Sequence, residues 1–478
     1  MTSREATRTL EPLDVNRVAE LHRLTDTLGD ALWPGFDTRT IPVAVNHDDR
    51  EEMLVAHPAP PPEFHPSKTL TLHGEPILVR EGCTRYGPRG SGWAFELGGE
   101  QTAYVSTIQA TQSTEDWLSA LLHESFHVYQ RRYQSMPQGG MQPPPSADAE
   151  YSARIGLESR VLQALIASED HQEIRELGRQ LIAVRRARYA GLTEEQIRFE
   201  GVSEYNEGTA SYIQARLYQL LAARGGLEVK GGDPRYHGFS EAGRMYTDLV
   251  SKISPAEDAR IDFVHGQYLN GMGLCLALDR LVPDWKAKMQ EPGRRQYDLL
   301  ESALAVAESE EDALLDRAEK RFEYEALLAR QVALLDAHLA EIRSYLDAPG
   351  RRYRVHHGAI RGRFQWSPEG PVLEVPEVLI TEPAGNPTTV WVGGMSRFEK
   401  GDLVFEGRPL PMIFRFDTLE WIDPEPAFDE SDLKIAYETR DGDIYSKVRI
   451  ETDGFVLTLP KARIVRTEER VDIHPVVD

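Results

Sequence analysis

The sequence predicts an α+β protein: a mainly helical domain with a short sheet on its N-terminal side, followed by an all-β domain. Three observations predict it. Apolar residues recur at helical spacing through most of 113–348. Two short strand-like runs precede that stretch, Pro76-Ile77-Leu78-Val79 and the six residues 102–107. After Asp347-Ala348-Pro349-Gly350 the texture turns to brief β-rich segments divided by turn signals.

The elements follow in order. Residues 1–112 are mixed and proline-rich, with Pro58, Pro60, Pro61 and Pro62 marking an extended loop. Ser113, with Asp116 three residues on, is a capping-box-like start. Leu118, Leu121, Leu122, Phe126 and Tyr129 then predict a half-buried helix to about Arg132. Residues 136–145 read as a loop, and Ser146 reopens helix for two stretches ending near Ala190. Thr193 with Gln196 caps a further helix that runs to Arg224, where Gly225-Gly226 stops it. Helices are predicted over 240–252, 257–281 and 295–307, and a long charged one over 310–347. Beyond 349, runs such as Tyr353-Arg354-Val355 and Thr389-Val390-Trp391-Val392, with turns at Asp441-Gly442, Asp453-Gly454 and Gly385-Asn386-Pro387, predict a sandwich or small barrel. The expected division is therefore 1–112 and 113–348 within one catalytic domain, then 349–478.

Composition narrows the function classes. The chain of 478 residues holds 54 Lys plus Arg against 77 Asp plus Glu, a net charge of −23. That excess repels phosphate backbones and anionic lipid, so neither nucleic acid nor membrane is an expected partner. No apolar run is long enough for a membrane span, and the charged N-terminus has no signal-peptide core, which reads as a cytoplasmic chain. Two cysteines, Cys83 and Cys275, make neither a disulfide scaffold nor a cysteine-rich metal site. Arg185-Arg186-Ala187-Arg188 is too short a basic stretch to read nucleic acid, and His356-His357 reads as a surface pair.

The chemistry concentrates at His123-Glu124-Ser125-Phe126-His127, an HExxH motif. On a helix, imidazoles four residues apart project from one face and can grip one zinc. Glu124 can then lean toward the attacking water as a general base. A third ligand is sought downstream, in Glu204-Tyr205-Asn206-Glu207-Gly208-Thr209-Ala210. HExxH followed by a helix bearing Asn-Glu-Gly-x-Ala resembles the gluzincin metallopeptidases, the aminopeptidase N-like branch above all. The resemblance implies a zincin-like catalytic domain, Zn2+ as cofactor, a peptide or protein substrate, and Glu207 as the third ligand. Glu200, Glu204 and Glu207 share one face at helical spacing, so Glu204 is an alternative ligand or a partner that orients a histidine. Gly208 and the small residues after it would let two helices approach closely.

The chain departs from that family in three ways. From His127 to Glu207 is 80 positions (207 − 127), a spacing that an inserted pair of helices would explain. Ser211 stands where thermolysin-type sites carry Asp, and no Gly-x-Met-Glu-Asn precedes HExxH. The oxyanion donor is expected from the segment 262–271, with Tyr268 and His265 as candidates and Gly271 and Gly273 letting their helix press against the site. The strand 102–107 is a candidate cleft edge for an extended substrate. Two other readings stand beside the peptidase: a non-catalytic interaction protein on the same scaffold, and a zinc hydrolase of non-peptide amides or esters.

Overall fold

A computed structural model describes residues 10–476, except 48–49, 83, 85–90, 110, 134–143, 146–147, 256–260, 262–264, 348, 361–363, 369–371, 376–387, 416, 424–433, 453 and 468–469. The expected loop at 136–145 and the turn at 385–387 fall largely or wholly outside the described residues, as does Cys83. The fold is mixed α+β, in two compact units: Met1–Pro144 with Glu150–Leu328, and Pro145–Ala149 with Ala329–Asp478. The division falls inside the helix Tyr324–Leu346, upstream of the compositional change at 347–350.

In the first unit, α1 (Pro12–Leu28) begins on a proline, whose fixed φ suits the first helical turn, and buries Val15, Val18, Leu21, Leu24 and Leu28. A sheet follows: β1 (Val43–His47), β2 (Glu51–Val55), β3 (His65–Leu72), β4 (Glu75–Glu81), β5 (Gly92–Leu97) and β6 (Glu100–Ser106), in the order β3-β4-β2-β1-β6-β5. β6 pairs parallel with β1 on one side and antiparallel with β5 on the other. The expectation that 102–107 borders a cleft is thus corrected, for this strand is interior and the edge is β5. Thr102, Ala103, Tyr104 and Val105 are all buried, an unbroken run typical of a strand covered on both faces.

Helix α2 (Thr114–Tyr133) starts as expected, with Ser113 Oγ accepting the Asp116 N–H at 3.1 Å. It lies against β5 and β6 and buries Leu118, Leu121, Leu122, Phe126 and Tyr129. Such side chains each stabilise the fold by about 1.5–3 kcal/mol. The Phe126 ring meets Trp33 and Phe36 edge-on at 5.0 and 5.2 Å. Next come α3 (Ala149–Ala167), α4 (His171–Tyr189) and α5 (Glu194–Ser203), the last opened by a Thr193/Gln196 capping box. α5 passes through a π-helical turn, Glu204–Gly208, into α6 (Thr209–Arg224), which ends on left-handed Gly225 at φ 79°. After α7 (Ala242–Ser251), a second π-helical turn, Gly266–Asn270, leads into α8 (Gly271–Leu281). These wider turns cluster at functional sites in proteins. The two meet through glycine, as the spacing of small residues predicts: a Cβ on Gly208 would lie 2.5 Å from Gly271 Cα. Gly273 packs instead toward Leu162 of α3.

The single helix expected over 310–347 is two, Glu308–Arg321 and Tyr324–Leu346, broken at Glu323 with φ 54°. The break sinks Tyr324 into the core beneath the Arg154 guanidinium, 4.0 Å from its ring. No helix among the described residues is long and apolar enough to cross a membrane.

One buried base makes the first unit sensitive to acid. His22 of α1 is 3% exposed, with Nδ1 2.9 Å from His73 Nε2. Burial, then the neighbouring His73 and Arg39, lowers its pKa from 6.5 to about 4. The unfolded chain therefore takes the proton first, so this contribution is complete above pH 6.5 and is lost as pH falls toward 4. The loss is on the order of 3 kcal/mol. Denaturation curves across that window should show a flatter pH dependence for His22→Phe than for the natural chain.

In the second unit, the strands are β7 (Arg351–Val355), β8 (Phe364–Pro368), β9 (Val372–Val375), β10 (Thr388–Lys400), β11 (Leu403–Phe414), β12 (Leu419–Asp423), β13 (Lys434–Ala436), β14 (Thr439–Asp441), β15 (Ile444–Glu451), β16 (Phe455–Arg466) and β17 (Arg470–Pro475). The path β16-β17-β7-β12-β11 closes on itself because β11 also pairs with β16, the small barrel of the two alternatives. Tyr353, Phe405, Trp421 and Phe455 stack within it. His357, expected at the surface, is fully buried with Lys400 Nζ donating to its carbonyl at 2.8 Å.

Candidate metal centre

Helix α2 brings His123 and His127 to one face, and the π turn before α6 swings Glu207 across to them. The two Nε2 atoms lie 3.0 Å apart, and Glu207 Oε2 is 3.5 Å from that of His123 and 3.3 Å from that of His127. A tetrahedral zinc bonding at about 2.0–2.1 Å sets its ligand atoms about 3.3 Å apart. The triangle thus has the dimensions of a metal site, and these three residues form a group able to hold an ion.

The hydrogen bonds behind the triangle decide which atoms face into it. Gln130 Nε2 donates to the carbonyls of Tyr205 and Asn206 and to Thr209 Oγ1, so its Oε1 must be the atom 2.9 Å from His127 Nδ1. Gln214 Nε2 donates to the Ser119 carbonyl and Oγ, leaving Oε1 at 3.2 Å to accept from His123 Nδ1. Both Nδ1 atoms therefore carry hydrogen and both Nε2 lone pairs point inward. Glu207 Oε1 is held by the Asn206 amide at 2.7 Å, which turns Oε2 inward as well. Three acceptors converge, an arrangement that needs positive charge at its centre, from protons or a metal ion.

Burial alone would raise the Glu207 carboxyl, yet hydrogen bonds and positive charge from a proton held by the facing His123 and His127 imidazoles keep it well below the usual carboxylate range. Glu124 is packed so tightly under β5 that a Cβ on Gly92 would lie 2.8 Å from its Cγ. Burial, with the Glu207 charge, pushes the Glu124 pKa up to about 7 against the opposing pull of His123 and Arg131. The Tyr268 ring, on the second π turn, stacks on His123 with centroids 6.4 Å apart and planes 9° apart. Burial and then the Glu207 and Glu124 carboxylates push its hydroxyl far above the usual tyrosine value.

Two candidates are not in this group. Glu204 is bound through both oxygens to Arg185, at 2.7 Å each, so it is neither a ligand nor the partner of a histidine. His265 Nε2 lies 2.9 Å from the Ile253 carbonyl and 3.3 Å from Ser159 Oγ, a packing role that removes it as oxyanion donor. The long spacing from His127 to Glu207 is taken up by α3, α4 and α5.

Gln130 and Gln214 escaped the sequence reading because neutral amides carry no ligand signature. Their positions held a clue: Gln130 follows His127 by three residues, and Gln214 follows Glu207 by seven, both helical spacings. Gln130→Leu and Gln214→Leu are each expected to weaken zinc binding about 10–100-fold, the usual cost of losing such a partner. Competition with a chromogenic chelator would measure it, and unchanged affinity in both would contradict the orienting role.

Compared with known proteins, the chain matches no family model, no curated protein and no solved structure.

Proposed function

We propose that the chain is a zinc-dependent metallopeptidase of gluzincin type, its ion held by His123, His127 and Glu207. The observation that supports this most is the convergence of three acceptor atoms whose other nitrogens and oxygen are all occupied. Two neutral imidazoles and one carboxylate suit zinc, and three protein ligands leave a position open for chemistry.

Zinc bound there would polarise the scissile carbonyl and acidify a water. Glu124 takes the proton of the attacking water and passes it to the leaving amine, and a pKa near neutrality suits both transfers. Tyr268 keeps its proton and donates to the oxygen where negative charge develops. The outer edge of β5, beside Glu124, suits an extended peptide added as a further strand.

Metal analysis tests the reading most directly. Protein purified without added zinc should carry about one zinc per chain, and chelation should lower its melting temperature. Negligible metal together with an unchanged melting curve after chelation would overturn it.

A further inference from the structure

One edge of the first sheet is β5, and the register of that strand fixes which of its main-chain groups face outward. Ser106 donates its N–H to the Ser91 carbonyl at 2.9 Å, and Gly92 then pairs with Val105 and Ala94 with Ala103. Along an antiparallel pair, bonding to the neighbouring strand alternates from residue to residue. Trp93 and Phe95 therefore turn their N–H and C=O groups to β6, while Gly92 and Ala94 turn theirs to the outer edge. Gly92 lies beside Glu124, and Ala94 is the next outward residue along the strand.

The Ala94 carbonyl is already taken. Arg131, near the end of α2, donates Nη1 to it and to Gln101 Oε1, at 2.8 Å each. Both acceptors are neutral. The Arg131 side chain is exposed, and among the described residues it makes no ion pair. Arg132, the next residue, is by contrast paired with Glu100 at 2.7 Å. Glu96, on the same face of β5 as Ala94, is exposed and forms no ion pair with Arg131. Arg131 nonetheless stands close enough to Glu124 for its charge to pull that carboxyl down.

A guanidinium fixed by two neutral acceptors keeps its charge uncompensated, and bonding through Nη1 alone leaves its Nε and Nη2 donors for another group. Those donors form the fork that matches a carboxylate. In a chain with 77 acidic against 54 basic residues, a cation left in this way beside Glu124 points to an anionic ligand. We propose that Arg131 determines specificity by receiving a carboxylate of the peptide laid along β5. A peptide added to this edge pairs with Gly92 and meets, at Ala94, the guanidinium in place of a main-chain acceptor. The proposal rests on the peptidase reading and narrows its substrates to peptides that present a carboxylate there, from an acidic side chain or from the C-terminus.

The test is calorimetric titration of the full chain carrying Glu124→Gln, which removes the general base so that peptides stay intact. The probes are neutral decapeptides with one glutamate walked through every position, their glutamine counterparts, and each again as the C-terminal amide. Glutamate at one position is expected to bind about tenfold more tightly than glutamine, or the free C-terminus about tenfold more tightly than the amide. The first outcome identifies a side chain and the second the terminal carboxylate. Arg131→Gln in the same chain keeps a donor for the Ala94 carbonyl, and it should bring the ratio to about one with circular dichroism unchanged. No saturable binding, no ratio above about twofold in any pair, or an unchanged ratio in Arg131→Gln would each overturn the proposal. If Arg131→Gln does not fold, Arg131→Met decides by the same ratio. Cleavage of the same peptides by the chain with Glu124 intact is scored separately. Cleavage without discrimination overturns the role of Arg131 alone, and discrimination in binding without cleavage overturns the peptidase reading alone.

Discussion

Glu124→Gln is expected to lower peptide-cleaving kcat/KM by about 10²–10⁴-fold while leaving the zinc content unchanged. Glutamine keeps the shape that fits beneath Gly92, so packing against β5 survives. What disappears is the ability to take and return a proton. The imidazoles and Glu207 keep their own partners, Gln130, Gln214 and Asn206, none of which is the Glu124 side chain. A peptide library digested by each protein and read by mass spectrometry, beside elemental analysis of the same samples, separates the outcomes. Equal cleavage by both proteins would exclude Glu124 as the base. Cleavage by neither would favour the interaction-protein alternative.

Arg185→Met is expected to destabilise the first unit by about 3–5 kcal/mol, the largest stability effect foreseen for a single residue here. Arg185 and Glu158 are both completely buried, and Glu204 and Glu200 are each 3% exposed. Arg185 binds Glu158 and Glu204, while Arg188 binds Glu158 and Glu200, and Tyr151 donates to Glu200 at 2.8 Å. Removing one guanidinium leaves carboxylates without their counter-charge in a region that water does not reach. Urea midpoints would measure the loss. Arg39→Met, which breaks a pair with Asp26 whose side chains are 52% and 41% exposed, serves as a control and should shift the midpoint little. Equal shifts in the two variants would mean that the buried network contributes no more than a surface pair.

The sequence was informative where one local rule decided the outcome. Ser113, the Thr193/Gln196 box and Gly225 each act within a single helical turn, and each lies where it was expected. The HExxH pair was legible for the same reason, since two residues on one helix need no knowledge of the fold. Glu204 stood as an alternative because regular helical spacing puts it beside Glu207. The π turn beginning at Glu204 breaks that spacing and sends the two carboxylates to different partners. The buried network of Arg185 and Arg188 could not be read from the run 185–188, because nothing local announces that three glutamates from α3, α5 and the π turn will enclose these two side chains. His265 and Tyr268 could not be ranked from spacing alone, for their difference rests on contacts with Ile253 and His123 made across the fold.

The seam between Gly208 and Gly271 is main chain against main chain. A contact with no side chains has no rotamers with which to absorb displacement, so the two helices cannot slide past one another by small adjustments. Glu207, one residue before the seam, and Tyr268, three residues before it on the other helix, are thereby locked into a single rigid jaw. Any displacement that opens the site must then come from the opposite jaw, where, among the described residues, the strand holding Gly92 stands over Glu124.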